Sequence, residues 1–230
     1  MTQPSTVVIA GFGPGLGEAL QRRFQLGGHE VVGVARRGDP RWATDLRIPS
    51  ATQDLFRRLD QEMPPLAGVI HNAMFFLREP FMSTRPEALE AVWQSMVMTA
   101  FNTSQAAIPR LKAQGGGALI FSGASGSLRA GPGFAAFSSA KFALRGLAQA
   151  MAREHGEDGI HVAHVVIDGL IRSDKTRQRF GERPASDLID PEALAEHYWH
   201  LFHQPASAWS HETDIRPTSL SMAHHPGASS

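Results

Sequence analysis

The sequence of 230 residues contains no cysteine and only one tyrosine, Tyr198. Without cysteine the chain has no disulfide and no thiolate for catalysis or for binding zinc or an iron–sulfur cluster. A reducing cytoplasm is therefore the compartment that we expect. We also expect no metal site, because the 11 histidines show no ligand spacing supported by carboxylates.

The chain has no excess of charge of either sign. Lysine plus arginine and aspartate plus glutamate both total 22, so the formal net charge is zero. A neutral chain has no global field that would draw it to nucleic acid or to an anionic membrane. The N-terminus lacks the basic segment of a secretory signal, and no apolar run approaches the roughly 20 residues of a membrane span. We expect a soluble, unprocessed, cytoplasmic protein with a small-molecule substrate.

Short apolar segments alternate with longer segments of helical spacing, which predicts βαβ units. The predicted strands are residues 7–10, 31–34, 68–71, 118–122 and 161–167. The predicted helices are 15–26, 53–62, 87–111, 134–155 and 191–203. The fold class is therefore α/β, a doubly wound parallel sheet of about seven strands with helices on both faces. No linker divides the chain, so we expect a single domain over residues 1–223 and a disordered tail over 224–230.

The first predicted strand leads directly into a glycine-rich segment, AGFGPGLGE, at residues 10–18. Gly11, Gly15 and Gly17 follow the spacing GxxxGxG, whereas GxGxxG fails in both possible registers. Glycine lets the backbone turn sharply and approach a phosphate, and the amides that start the next helix point to the anion. The position after an N-terminal strand favours dinucleotide binding over a turn without a ligand.

This spacing resembles that of the short-chain dehydrogenase/reductases, and further segments follow in the family's order. Asp45-Leu46 lies where the family has an acidic–apolar pair that holds the adenine. Asn72-Ala73 resembles the family's Asn-Ala-Gly segment, with methionine replacing the glycine. Residues 160–173 resemble the sixth strand and its Pro-Gly-x-Ile-x-Thr ending, in which aspartate replaces the proline and serine the threonine.

The resemblance covers nearly the whole chain and implies a Rossmann-type, NAD(P)-binding domain. It implies that Ile171 places its backbone against the nicotinamide carboxamide. The cofactor-binding residues that it implies are Gly11, Gly13, Gly15, Leu16, Gly17, Arg36, Arg37, Asp45, Leu46, Asn72, Ala73, Lys141, Asp168, Gly169, Ile171 and Ser173.

The choice of cofactor rests on the residues after the second predicted strand, which meet the adenosine ribose in this family. An acidic side chain there favours the free 2′-hydroxyl, and a basic one favours the 2′-phosphate. The sequence reads Val-Ala-Arg-Arg at 34–37, so we expect NADP(H) in preference to NAD(H), with Arg36 as the direct partner. The basic residue that many NADP-preferring relatives carry in the glycine loop is absent, since Pro14 stands there.

The catalytic positions implied by the resemblance are only partly retained. The family uses a Tyr-x-x-x-Lys pair on one helix, in which tyrosine is the general acid or base and lysine lowers its pKa and holds the ribose. The aligned segment, residues 134–144, keeps Lys141 and has Phe137 at the tyrosine position. We therefore expect an incomplete catalytic tetrad.

The positions of the family's serine and asparagine also carry other residues in the ungapped alignment. Ala124 aligns with the serine without gaps, and Ser122 or Ser125 would serve after a shift of one or two residues. Met96 stands at the asparagine position.

Other polar side chains are alternative proton sources. Tyr198 lies on a late helix, and Ser138 is about 100° from the tyrosine position around its helix, which disfavours it. By analogy His71, Asp168 and Ser125 lie near the nicotinamide, and Asp168 is the most unusual substitution. Candidate apolar walls of the pocket are Phe75, Phe76, Leu170 and Trp209.

Two functions follow from these residues. The first is an NADP(H)-dependent oxidoreductase that acts on an unknown small carbonyl, alcohol or activated alkene. The alternative is an NADP(H)-binding protein with little or no turnover, such as a redox sensor or structural partner. Elimination chemistry is disfavoured, because relatives of that kind lose the cofactor site but keep the tyrosine. The resemblance further implies a homodimer or homotetramer that pairs helices 87–111 and 134–155.

Overall fold

A computed structural model describes residues 4–219, which build a parallel sheet of six strands covered by helices on both faces. The predicted tail, residues 224–230, lies outside the described residues. The strands are β1 Thr6–Ala10, β2 Glu30–Val34, β3 Leu66–His71, β4 Gly117–Ser122, β5 Ile160–Ile167, β6 Leu170–Ile171, β7 Leu188–Ile189 and β8 Glu212–Ile215. The helices are α1 Leu16–Leu26, α2 Pro49–Glu62, α3 Pro86–Trp93, α4 Thr99–Ala113, α5 Ala135–His155, α6 Asp174–Phe180 and α7 Pro191–Phe202.

The main sheet has the order β2-β1-β3-β4-β5-β8, and β6 pairs separately with β7. Every pair of neighbouring strands is parallel. All residues of β1 and β5 are buried, as continuous apolar strands covered on both faces require. Helices α1 and α7 pack on one face of the sheet, and α2, α4 and α5 pack on the other. The predicted doubly wound α/β fold is confirmed.

All five predicted strands form, with bounds within two residues of the prediction. The sheet has six strands rather than about seven, and the residues directly before the Asp45-Leu46 pair, Ala43 and Thr44, lie in a loop rather than in a strand. One backbone hydrogen bond joins this loop to the end of β2, from Thr44 N to Ala35 O (3.0 Å). The long helix predicted over 87–111 is interrupted by a π-helical turn at Gln94–Met98, which separates α3 from α4.

The edge strand β8 was not predicted, because its sequence, Glu-Thr-Asp-Ile, is mostly polar. A charged cluster fixes it to the rest of the fold. The Arg145 guanidinium donates two hydrogen bonds to the Glu212 carboxylate (2.6 and 2.7 Å), and His164 Nδ1 lies 3.0 Å from the same carboxylate. Among residues 4–219, no helix has the length and apolar character that crossing a membrane demands.

Candidate functional site

A pocket of about 1340 Å³ opens at the carboxyl ends of β1, β3, β4 and β5. The chain leaves β1 toward β2 on one side, while β3 and β4 lie on the other side, so the pocket covers the point where the strand order reverses. Open parallel sheets bind ligands in this crevice.

The glycine loop forms one wall of the pocket. Gly11 has φ +87°, and a side chain there would overlap Ala73, so only glycine fits between β1 and the segment after β3. A Cβ at Gly13 would meet no protein atom within 4 Å, which leaves space for a ligand to approach the backbone. Gly15, with φ +86°, precedes α1, and no side chain caps this helix. Its free amide groups fit the pyrophosphate of a dinucleotide.

The end of the pocket beside β2 is lined by Arg36, Asp45 and Leu46. Asp45 is already engaged, since Arg47 Nε donates to its Oδ1 (2.8 Å) and holds the pKa of this carboxyl below its usual value. Asn102 Nδ2 donates to the Leu46 carbonyl oxygen (3.0 Å) and thereby fixes the loop. Arg36 forms no ion pair or side-chain hydrogen bond with any residue of the described part of the chain. With Asp45 paired to Arg47 and Arg36 without an ion-pair partner, this end of the pocket fits a negatively charged group of a ligand.

Phe137 and Lys141 lie one above the other on the pocket side of α5. The Lys141 ammonium is buried, 5.8 Å from the centre of the Phe137 ring, and donates to the Ser122 carbonyl oxygen (2.7 Å). Burial lowers the pKa of Lys141 from 10.5 to about 8, because the apolar surroundings disfavour its charge. The position predicted for the tyrosine is therefore occupied by a ring that has no hydroxyl.

Ala124 and Ser125 both line the pocket after β4, so the position predicted for the serine carries a methyl group beside a hydroxyl. Ser138 lines the pocket as well, which corrects the argument from its helical angle. The turn at Gly126 packs against both Phe137 and Ser138, so the pocket wall wraps around this end of α5. Neither Ser125 Oγ nor Ser138 Oγ has a hydrogen-bond partner within residues 4–219.

Tyr198 is fully buried in the core between α7 and the sheet. Its hydroxyl lies 2.8 Å from Ser122 Oγ, and burial raises the pKa of Tyr198 well above its usual value. This contact takes Tyr198 out of the candidates for substrate protonation. It also engages the hydroxyl of Ser122, one of the candidates for the family's serine.

Met96 is buried at the π-helical turn, packed with α5, and does not line the pocket. Ser95 and Thr99, its neighbours on the helix, do line it, and sequence comparison with the family pattern missed them. Thr99 Oγ1 lies 2.9 Å from His71 Nε2. Burial, helped by the charge of Lys141, lowers the pKa of His71 to about 3, so this ring is neutral at physiological pH.

Asp168 follows β5 and lines the pocket, as do its neighbour Gly169 and the residues Ile171 and Ser173. Arg129 Nη2 donates to Asp168 Oδ2 (3.0 Å), so this carboxylate is engaged in an ion pair. Ser173 caps α6 by accepting from Thr176 N (3.1 Å).

The pocket brings together most of the predicted site, including Gly11, Gly13, Gly15, Leu16, Arg36, Asp45, Leu46, Asn72, Ala73, Ala124, Ser125, Phe137, Lys141, Asp168, Gly169, Ile171 and Ser173. Gly17, Arg37 and Met96 lie outside its lining. Of the predicted apolar walls, Phe75, Phe76 and Leu170 line it, whereas Trp209 stacks on His161 at a ring distance of 5.0 Å, away from the pocket.

Comparison with known proteins decides the family. The family model for the short chain dehydrogenases matches residues 5–183. The chain belongs to the short-chain dehydrogenase family. It is 31% identical to a short-chain dehydrogenase from Rhodopseudomonas palustris, whose structure superposes with a TM-score of 0.79 and covers 93% of this chain and 98% of that one.

Two further relatives of this short-chain dehydrogenase are more distant. A 3α-hydroxysteroid dehydrogenase of Mediterraneibacter gnavus is 30% identical over 120 residues, which are 52% of this chain and 48% of that enzyme. ElxO with NADP bound shares the fold, with a TM-score of 0.83 at 15% identity over 92% of this chain and 96% of that one. A tyrosine-to-phenylalanine variant of ElxO has been solved with NADPH bound. The chain spans 48%, 31% and 42% of the lengths of three curated relatives that it matches.

Proposed function

We propose that this short-chain dehydrogenase is an NADP(H)-dependent oxidoreductase that acts on a small carbonyl, alcohol or activated alkene. The observation that carries the proposal is the single pocket that has the glycine loop and Arg36 at one end and Phe137 with Lys141 at the other. When bound, the nicotinamide supplies or accepts the hydride. The predicted cofactor-binding residues, Gly17 and Arg37 included, remain part of the proposal.

The chain's own residues have distinct proposed roles. The loop amides hold the pyrophosphate, Arg36 holds the 2′-phosphate, and Lys141 holds the nicotinamide ribose. Phe137 shapes the substrate space without donating a proton. An activated alkene or an iminium-like carbon, which needs little protonation, is therefore the substrate type that this pocket suits best. The tyrosine-to-phenylalanine variant of ElxO with NADPH bound supports cofactor binding in the absence of a tyrosine hydroxyl.

The test of turnover is stopped-flow oxidation of protein-bound NADPH against a panel of enones and simple ketones. We expect oxidation with enones and little with ketones. Absence of oxidation with every compound of the panel would instead favour cofactor binding without turnover, the alternative function.

The Arg36→Ala variant is expected to lose the preference for NADPH over NADH. A charge-assisted contact to the 2′-phosphate contributes about 1.5–3 kcal/mol, or roughly ten- to a hundredfold in affinity. The measurement is fluorescence titration of both cofactors. Arg37→Ala removes the same charge one residue away, and because Arg37 lies outside the pocket lining, its effect on the preference should be the smaller of the two. An equal effect of both variants, or equal affinities in the unmodified protein, contradicts the assignment.

We further propose a cytoplasmic homodimer or homotetramer, formed through α5 and the segment of α3 and α4 that corresponds to the helix predicted over 87–111. The supporting observation is an exposed set of large apolar side chains on α3, α4 and α5, namely Leu89, Trp93, Phe101 and Phe142. Light scattering should give two or four times the chain mass of 25.0 kDa. Phe142→Glu should shift the mass toward the monomer, and a monomer at micromolar concentration in the unmodified protein would exclude this assembly.

A further inference from the structure

Beyond Phe137, the pocket continues between the segment after β3 and helix α6. A smaller cavity of about 400 Å³ adjoins it there, lined by Met74, Phe75, Phe76, Lys175, Gln178 and Arg179. The sequence analysis had not predicted α6 or any role for its side chains. The two cavities share Met74, Phe75, Phe76, Lys175 and Arg179, so two basic side chains of α6 lie beside the space proposed for the substrate.

The floor of this region is aromatic. The Phe76 ring lies 5.3 Å from the Phe137 ring, 5.9 Å from Phe134 and 5.7 Å from Phe180. These centroid distances are those of rings in edge or tilted contact. An apolar or aromatic substrate body would extend this packing from the tyrosine position outward.

Two guanidinium groups lie directly on this floor. The Arg179 carbon Cζ is 4.7 Å from the centre of the Phe76 ring, and Arg179 Nη2 donates to the Phe76 carbonyl oxygen (3.2 Å). The Arg78 Cζ is 5.4 Å from the centre of the Phe134 ring. Through Phe76, Arg179 is separated from the Phe137 ring by one aromatic side chain.

The charges of this region are unbalanced. Arg78, Lys175, Arg179 and Arg183 line the pocket, and none forms an ion pair with a residue in the described range 4–219. The carboxylates that line this part of the pocket are Asp168, which is paired with Arg129, and Asp187, which accepts from the Ser186 hydroxyl. Asp174 and Glu182 lie outside the lining and pair with Arg177. By contrast, Arg177 on the same helix, which does not line the pocket, is paired with Asp174 (3.0 Å). In a chain of zero net charge, cations left unpaired at the mouth of a pocket favour an anionic ligand.

We infer that the substrate carries an anionic oxygen group, a carboxylate or a phosphate, joined by an apolar body to the carbon that reacts. The apolar body packs on Phe76 and Phe137, and the anionic group meets Arg179 with Lys175, Arg183 and Arg78 around it. Arg179 is the main specificity-determining residue, because its contact with the Phe76 carbonyl already orients its guanidinium. This inference rests on the proposed function, since it names the substrate class of the same pocket.

The experiment titrates three probes into the NADPH-loaded protein and follows the fluorescence of the bound NADPH. The probes are 4-phenylbutanoate, 2-phenylethyl phosphate and the neutral 4-phenylbutanamide. We expect at least one anionic probe to bind roughly tenfold more tightly than the amide, with added salt weakening the anionic probe alone. Preference for the carboxylate or for the phosphate supports the inference in either case and narrows the class.

Arg179→Gln is expected to remove most of this preference, whereas Arg177→Gln should leave it intact. The two variants lose the same charge from the same helix, but only Arg179 lines the pocket. If Arg179→Gln proves unstable, Lys175→Gln gives a second measurement at the same cavity.

Equal binding of the amide and both anions, or equal losses in the two arginine variants, would overturn the inference while leaving the proposed function in place. Failure of NADPH to bind would reject the proposed function, and the same titration on the cofactor-free protein then decides the anion site separately.

Discussion

Phe137→Tyr should raise NADPH-dependent reduction of simple ketones by roughly 10²–10⁴-fold, the contribution of a positioned general acid. Phenylalanine has no proton to give, so the alkoxide that develops from a ketone lacks a donor in the unmodified protein. The new hydroxyl would extend from a ring that lies in the pocket beside Lys141, whose ammonium is 5.8 Å from the ring centre. A nearby ammonium favours the tyrosinate and so prepares the hydroxyl for proton transfer.

The gain should be larger when Phe137→Tyr is combined with Ala124→Ser. Ala124 lines the same pocket, and a serine there would orient the substrate oxygen toward the tyrosine. The buried Met96 still leaves the variant without the family's asparagine, so the double variant should remain below a complete tetrad.

Phe134→Tyr is the matched control for this experiment. Phe134 also lines the pocket, but its ring centre is 6.4 Å from that of Phe137, and it precedes α5, two helical turns before Lys141 rather than one. Steady-state NADPH oxidation with cyclohexanone and acetophenone is the measurement. Fast turnover by the unmodified protein, or the same gain in Phe134→Tyr, would show that the proton comes from another residue.

Lys141→Met should make the cofactor-free protein more stable at pH 7 and the cofactor complex much weaker. The shift of the Lys141 pKa from 10.5 to about 8 corresponds to a burial penalty of about 3 kcal/mol at neutral pH. Removing the ammonium leaves the Ser122 carbonyl without its donor, which costs about 1 kcal/mol. We therefore expect the free energy of unfolding to rise by about 2 kcal/mol and NADPH affinity to fall at least tenfold.

The difference in the free energy of unfolding between the unmodified protein and Lys141→Met should depend on pH. Below pH 8 the lysine is charged in both the folded and the unfolded chain, so the folded state bears the full penalty. Between about pH 8 and 10.5 the folded protein releases the proton first, and its stability rises with pH relative to the variant. The advantage of Lys141→Met should thus shrink across this range in urea unfolding experiments. Lys112→Met, at an exposed lysine paired with Asp158, should give no such advantage. A loss of stability in Lys141→Met at pH 7 would contradict the burial argument.

The sequence pattern predicted the five long strands of the sheet because their apolar residues are nearly continuous. It predicted the helices that cover the sheet because their apolar residues recur at helical spacing. It did not predict β8 or α6, whose residues are largely polar and whose positions depend on contacts made by distant segments. The edge strand is fixed by Arg145 and His164, which no local pattern of Glu-Thr-Asp-Ile reveals.

Site residues were predictable where the backbone conformation requires a particular residue type. They were not predictable where a turn distant in sequence decides which side chains line the pocket. Gly11 and Gly15 need positive φ angles, and their spacing is visible in the sequence. Ser138 was judged from its helical angle alone, but the turn at Gly126 brings the pocket wall around to it. The engagement of Tyr198 with Ser122 likewise depends on the packing of α7 against β4, which the helical pattern of α7 does not contain.

The burial of Tyr198 also makes the chain unusually suited to optical measurement. It is the only tyrosine in the sequence, and its pKa is raised out of the accessible alkaline range. In Phe137→Tyr, the ultraviolet absorbance change of tyrosinate formation would therefore come from residue 137 alone. Its titration reports the pKa of the introduced phenol directly, without isotopic labels. The same titration of Phe137→Tyr in a Lys141→Met background would give the pKa of that phenol without the ammonium, and the difference between the two values measures the influence of Lys141 on the hydroxyl.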